Sequence, residues 1–288
     1  MDAPRFDILA IDVDGTLLDT SGRLSRSNAD AVRAATGAGV MVILASARPP
    51  MTVLDLARTL TLDRPTPRIE PSAGAWPAVA INTNGAVVWS FTGARPISHD
   101  PLDRSLASSV IAAARSIDPG VLVSVEHLDR WYTDCADPIL RAQIIAGVEP
   151  HFVGPITSFA HIAPTRLTLL TDADRLTPIR RLLMDDYAAG GLICCRAVGD
   201  DRLEVQAPHV DKGEALARIA RSLGVVRERV CAIGDGPNDA GMLRFAGLGL
   251  AVANAWGDAR AAADQPLEAD SDHDAVAEAV ERFILDSG

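Results

Sequence analysis

Residues 6–19, FDILAIDVDGTLLD, run from a nearly unbroken apolar segment into two carboxylates and a glycine. The apolar run from Phe6 to Ile11 reads as a strand buried on both faces, the kind found in parallel sheets covered by helices. Asp12, Asp14 and Gly15 then mark a turn at its carboxyl end. If the strand continues that far, alternation sets Asp12 and Asp14 on one side, and glycine lets the backbone turn tightly beneath an oxyanion. An isolated Asp-x-Asp-Gly is also an ordinary turn, so the surroundings decide its meaning.

Working outward, Ser25 or Ser27 caps a helix with Ala31, Val32 and Ala35 on one face and Gly37 and Gly39 at its close. Strands follow at Val40 to Ala45, ending in Ser46, and at Ala78 to Ile81, ending in Asn82 to Gly85. The same alternation resumes late: helix Asp211 to Leu223, strand Val230 to Ile233, helix Pro237 to Phe245, strand Leu248 to Val252 and a last helix near His273 to Leu285. This pattern predicts an α/β fold with a doubly wound parallel-sheet, Rossmann-like core.

The middle reads differently. Strands are expected at Val87 to Ser90, Val121 to Glu126, Arg166 to Thr171, Leu192 to Ala197 and Arg202 to Gln206. Helices are expected near Leu102 to Ser116, Pro138 to Ala146 and Arg175 to Ala189, giving an inserted α+β domain with a mostly antiparallel sheet. The expected layout is a core of residues 1–85 and 206–288 interrupted by residues 86–205. Pro65, Pro67 and Pro71 punctuate a loop within the core.

Composition bounds the function. The 288 residues suit about two domains, each able to bury a core without staples. No stretch nears the ~18 apolar residues of a membrane span, and acids at Asp2 and Asp7 do not fit a secretion signal, so the expected compartment is the cytoplasm. Four cysteines without a CxxC or Cys/His cluster indicate buried hydrophobes rather than disulfides or zinc. A net charge of −11 argues against nucleic-acid and anionic-membrane partners. It leaves room for a small phosphorylated substrate, because a pocket can be locally positive in an acidic protein.

Four polar clusters end four core strands: Asp12 and Asp14, Ser46 to Arg48, Asn82 to Gly85, and Asp235 to Asp239. In an open parallel sheet they converge on the crevice beyond the strand carboxyl ends, where ligands bind. Carboxylates so gathered repel one another unless a cation lies between them, and an all-oxygen set suits Mg²⁺. The competing reading of Asp235 and Asp239 is as helix N-terminal residues beside Pro237.

At this point the motifs carry a resemblance. DVDGTLLD at 12–19, SAR at 46–48, NGA at 84–86, DKG at 211–213, GDGPND at 234–239 and GLGLAVANA at 247–255 resemble the haloacid dehalogenase superfamily. More narrowly, the chain is similar to its Cof-type phosphatases with a type II, subclass B cap, the insert lying where that cap belongs. The resemblance implies that Asp12 is the nucleophile forming an aspartyl-phosphate and Asp14 the general acid and base. Crowding by Asp12, Asp235 and Asp239 is expected to keep Asp14 protonated. The implied Mg²⁺ ligands are the Asp12 carboxylate, the Asp14 carbonyl and Asp235, with Asp239 as a further ligand or anchor.

By the same resemblance Ser46 and neighbouring amides hold phosphate, Gly15 and Asn84 line the pocket, and Asn238 orients Asp12 or phosphate. The usual Thr-Gly-Arg is here Ser-Ala-Arg, with Ala47 in place of glycine. Arg48 has three readings: a grip on phosphate, a grip on a substrate carboxylate, or a salt bridge to the cap. Near the last helix, Asp272-His273-Asp274-Ala275 departs from the family's acidic residue and glycine. Lys212, the sole lysine in a sequence with 27 Lys+Arg, matches the third motif, where an ammonium sits between nucleophile and phosphate.

The expected function is Mg²⁺-dependent hydrolysis of small phosphomonoesters, sugar phosphates or similar metabolites, by a monomer or weak homodimer. Open alternatives are a phosphosugar mutase or dedicated glycosyl-phosphate phosphatase on the same core, or a catalytically idle binding protein.

Overall fold

The computed structural model describes residues 5–65, 78–140 and 148–285. Its elements begin with β1 (Ile8–Asp12), α1 (Arg26–Gly37), β2 (Met41–Ala45), α2 (Pro50–Thr59), β3 (Val79–Asn82), β4 (Val87–Ser90) and β5 (Arg95–His99). They continue with α3 (Arg104–Ile117), β6 (Leu122–His127), β7 (Arg130–Thr133), β8 (Phe152–Val153), β9 (Arg166–Leu170), α4 (Ala173–Leu183), β10 (Cys194–Val198) and β11 (Arg202–Gln206). The chain then adds α5 (Lys212–Ser222), β12 (Val230–Gly234), α6 (Ala240–Phe245), β13 (Leu248–Ala251), α7 (Gly257–Ala262), β14 (Gln265–Pro266) and α8 (Ala275–Ala279). Pro67, Pro71 and the later part of the helix expected over Pro138 to Ala146 lie outside the described residues.

The chain divides into two compact units, Met1–Ser98 with Asp211–Gly288, and His99–Val210. In the first, the described sheet has the order β14-β13-β12-β1-β2-β3-β4-β5. β1 pairs in parallel with β12 and β2, in the registers Ile8↔Val230 and Ile8↔Met41. All five residues of each of these three strands are buried, which is why their sequences run apolar without alternating. Ser25 caps α1 by accepting from Asn28 N–H at 3.0 Å, and the helix buries Ala29, Ala31, Val32 and Ala35. Asn28 is itself buried: its Nδ2 donates to Leu17 O and its Oδ1 accepts from Ala277 N–H, tying α1 to the Asp12 turn and to α8.

One expectation needs correction here, and one helix was not expected. Val87 to Ser90, expected in the insert, is β4 and pairs antiparallel with β3 through Val79↔Ser90 and Asn82↔Val87. The core unit therefore runs past residue 86 to Ser98, because a tight turn over Thr83–Gly85 returns the chain onto the same sheet. α2 was not foreseen. Pro49 and Pro50 look like breakers, yet Pro50 occupies the first turn, where its missing N–H needs no partner.

In the second unit the described order is β10-β11-β9-β6-β7-β8, with antiparallel pairing from β10 through β7. Val123, Val125, Leu167, Leu169, Leu203 and Val205 share one face and pack against Val110 of α3 and Ile179 of α4. The alternate positions carry Glu126, Arg166 and Glu204. Arg166 forks onto Glu126 at 2.7 and 3.0 Å and reaches Glu204 at 2.9 Å, so the buried charges of three neighbouring strands are paired. Among the described residues, no helix is long and apolar enough to cross a membrane.

Candidate active site

Every residue at the centre of the site is placed by the end of a core element. β1 ends at Asp12, β12 at Gly234, and α5 begins with Lys212. Lys212 is fully buried, and its Nζ donates to Asp12 Oδ1 and Asp239 Oδ1, each at 2.6 Å. Asp239 uses its other oxygen to accept from Asp235 N–H at 3.0 Å and Gly236 N–H at 2.8 Å. The turn after β12 is thus folded around the Asp239 carboxylate.

Asp12, Asp235 and Asp239 each offer a carboxylate oxygen within 4.8 Å of the others. Burial, and then the charge of Asp239, push the Asp12 carboxyl well above its ordinary range against the pull of Lys212. Asp235 moves the same way for the same two leading reasons. Burial opposes the charge on Lys212, but Asp12 and Asp239 outweigh it and hold its pKa above the usual lysine value. Three carboxylates, those of Asp12 and Asp239 buried and that of Asp235 half-buried, face one ammonium and leave an excess of negative charge. Hard oxygen donors with that excess fit Mg²⁺.

Asp14 stands apart from this group, which corrects the expectation that Asp12, Asp235 and Asp239 crowd its carboxyl. Strand geometry stops at Asp12, so alternation no longer governs residue 14. The Asp14 carboxylate, 54% exposed, instead accepts from Arg48 Nε at 2.8 Å and Nη2 at 2.5 Å. This pairing matches none of the three readings of Arg48. Ser46 is buried and its Oγ accepts from Arg48 N–H at 3.1 Å, while Ala47 between them is half-buried.

Gly15 adopts φ +83°, and a Cβ there would lie 2.6 Å from Asp235 Oδ2, so only glycine admits this approach. Asn84 is buried at φ +60°, and its Oδ1 accepts from Asn238 Nδ2 at 3.1 Å. The two predicted asparagines therefore meet. Asn254 Nδ2 donates to Gly15 O at 2.8 Å and its Oδ1 accepts from Ser271 N–H at 2.9 Å, bracing the Asp14–Gly15 turn.

Two supporting residues went unremarked in the sequence. Thr16 is buried and its Oγ1 donates to Asp235 Oδ1 at 3.1 Å. Asp211 caps α5 by accepting from Gly213 N–H at 2.7 Å and Glu214 N–H at 3.2 Å, which fixes the helix end carrying Lys212. The available signals were position alone: a hydroxyl directly after Asp-x-Asp-Gly, and an aspartate directly before the lysine.

The family model for haloacid dehalogenase-like hydrolases matches residues 9–280. The chain is 27% identical to a chloroplastic endoribonuclease YBEY of Arabidopsis thaliana over 98% of its own length, but spans only 47% of that protein. It is 28% identical to an HMP-PP phosphatase of Cronobacter sakazakii (strain ATCC BAA-894), over 85% of this chain and 84% of the relative. Among solved structures, a haloacid dehalogenase-like hydrolase from Bacteroides thetaiotaomicron shares the fold, with a TM-score of 0.82, 24% identity and coverage of 97% of this chain and 100% of the other. With its family model spanning both core segments and the insert between them, the chain belongs to the haloacid dehalogenase-like hydrolases.

Proposed function

We propose that the protein is a Mg²⁺-dependent phosphatase that hydrolyses small phosphomonoesters, sugar phosphates or similar metabolites, through an aspartyl-phosphate on Asp12. The observation that carries this reading is the meeting of the buried Asp12 and Asp239, bridged by Lys212, with the half-buried Asp235, three carboxylates against one ammonium where a dication and a phosphoryl group would sit. Phosphatases among the relatives support it.

In this reading Asp12, Asp235 and the Asp14 carbonyl would hold Mg²⁺, with Asp239 as a further ligand or as an anchor behind them, and the ion would draw charge from the phosphoryl oxygens and keep Asp12 ionised. An Asp12 oxygen attacks phosphorus while the bond to the ester oxygen breaks. Asp14, exchanged out of its pair with Arg48 and protonated from solvent, gives that proton to the leaving oxygen. In the second half Asp14 takes a proton from water as the water oxygen attacks phosphorus, releasing inorganic phosphate and restoring Asp12. Lys212 offsets charge on Asp12 and the phosphoryl group throughout. Gly15, Ser46, the amides at Ala47 and Arg48, Asn84 and Asn238 line the phosphate site, and Arg48, once released, faces the substrate.

We assign substrate selection chiefly to the His99–Val210 unit. The reading gives a small phosphorylated metabolite as partner rather than nucleic acid or a membrane, a cytoplasmic compartment, and a monomer or weak homodimer. The test is a screen of phosphorylated metabolites with Mg²⁺, run beside Asp12→Asn. Turnover by wild type and its loss in the variant is the expected result; no phosphomonoester turned over by wild type overturns the reading.

A further inference from the structure

The loop between β13 and α7 ends in Trp256, which is 67% exposed while Val252 and Ala255 beside it are buried. The loop beneath the indole is held firmly. Val252 N–H donates to Gly234 O at 3.3 Å, Ala253 N–H to Ala269 O at 2.9 Å and Ala255 N–H to Val252 O at 3.0 Å. Trp256 N–H donates to Asp235 O at 2.8 Å, and Asn254 is bonded at both ends of its amide, to Gly15 O and from Ser271 N–H. The Arg260 guanidinium donates to Ala253 O. Trp256 is therefore bonded through its backbone to a candidate metal-binding residue, and its loop to the turn that carries Asp14, at the carboxyl edge of the core sheet.

An exposed indole on a fixed base is a preorganised contact, since only two side-chain torsions remain to be ordered when a ligand covers it. The same bonds narrow the ligand class. The backbone N–H groups just named are used inside the fold, and the residues on either side of the indole, Ala255 and Gly257, bring no polar side chain to it. A polyol asks its site for directed hydrogen bonds; a flat ring needs only a face to stack on.

We propose that Trp256 is a stacking platform for a planar aromatic or heteroaromatic leaving group, so that the enzyme prefers ring-bearing phosphomonoesters to aliphatic polyol phosphates. This rests on the phosphatase reading and, among small phosphomonoesters, sets ring-bearing ones ahead of the sugar phosphates.

The test compares phenyl phosphate with glycerol 1-phosphate, using the full chain with Mg²⁺. For Trp256→Ala the KM for phenyl phosphate rises about fivefold, equivalent to about 1 kcal/mol of lost stacking, while kcat stays within about twofold. Trp256→Phe recovers most of the loss, and neither variant changes the KM for glycerol 1-phosphate. An unchanged KM for phenyl phosphate, or an equal rise for both substrates, overturns the proposal. A second readout needs no turnover: 4-nitrophenylphosphonate quenches wild-type tryptophan fluorescence, and Trp256→Phe loses that quench. Equal quenching in both proteins, or none in either, also overturns it. Wild type that hydrolyses neither ester while turning over another phosphomonoester overturns the proposal and leaves the phosphatase reading standing; wild type that turns over no phosphomonoester defeats that reading instead, and the phosphonate measurement then decides the platform separately.

Discussion

Lys212 is the only lysine in the sequence, and its ammonium is buried between Asp12 and Asp239 at 2.6 Å from each. A compact ammonium fits between two carboxylates at that spacing; the broad planar fork of arginine does not. Lys212→Arg, neutral by charge count, is expected to lower kcat/KM by about 10²-fold or more, with circular dichroism confirming the fold. Near-normal turnover would reduce the lysine to a compositional accident. Thr16 acts at one remove, by orienting Asp235. Thr16→Val is expected to raise the Mg²⁺ concentration needed for half-maximal activity about tenfold, and Thr16→Ser to restore the wild-type requirement. Lys212 was legible in the sequence because its motif and its rarity coincide. Thr16 was not, because a hydroxyl after a turn is common, and the Asp14–Arg48 pair was not, because it depends on β1 and β2 lying side by side.

At the level of elements, the site depends on how α5 begins. Asp211 supplies its cap, and Gly241 lies so near that an added Cβ would fall 2.1 Å from Asp211 Oδ1. Asp211→Ala is expected to remove about 1 kcal/mol of stability and to lower activity by loosening Lys212, whereas Asp211→Asn, which can still cap, keeps most of both. Denaturant unfolding beside kinetics separates the two effects. The core strands were legible because burial on both faces forces apolar runs, as in Ile8–Asp12 and Val230–Gly234. β4 was assigned to the wrong sheet for a related reason: Val87–Ser90 has the composition of a buried strand, and nothing in it says which sheet it joins.

At the scale of the whole molecule, the alternation of strand and helix revealed a split core, while its edge at Ser98 depended on a pairing visible only in three dimensions. The His99–Val210 unit carries a pH response of its own. His99 Nε2 lies 2.7 Å from Thr165 Oγ1 and its ring meets that of His127 edge-on. Burial first, and then the His127 charge, lower the His99 pKa from 6.5 to about 4, with Asp100 opposing. Between those values the unfolded chain binds a proton that the folded one does not, so this contribution is complete above pH 6.5 and is lost as pH falls toward 4. The Tm of His99→Gln is expected to fall less steeply than that of wild type across this window.

Asp12, as the group that carries phosphate, is the centre of the proposed reaction. The most direct measurement is mass spectrometry of enzyme acid-quenched during turnover of a phosphomonoester with Mg²⁺. The expected result is one phosphoryl group on the peptide containing Asp12, absent without Mg²⁺ and absent in Asp12→Asn. A phosphoryl group on another residue, or turnover undiminished in Asp12→Asn, would contradict it.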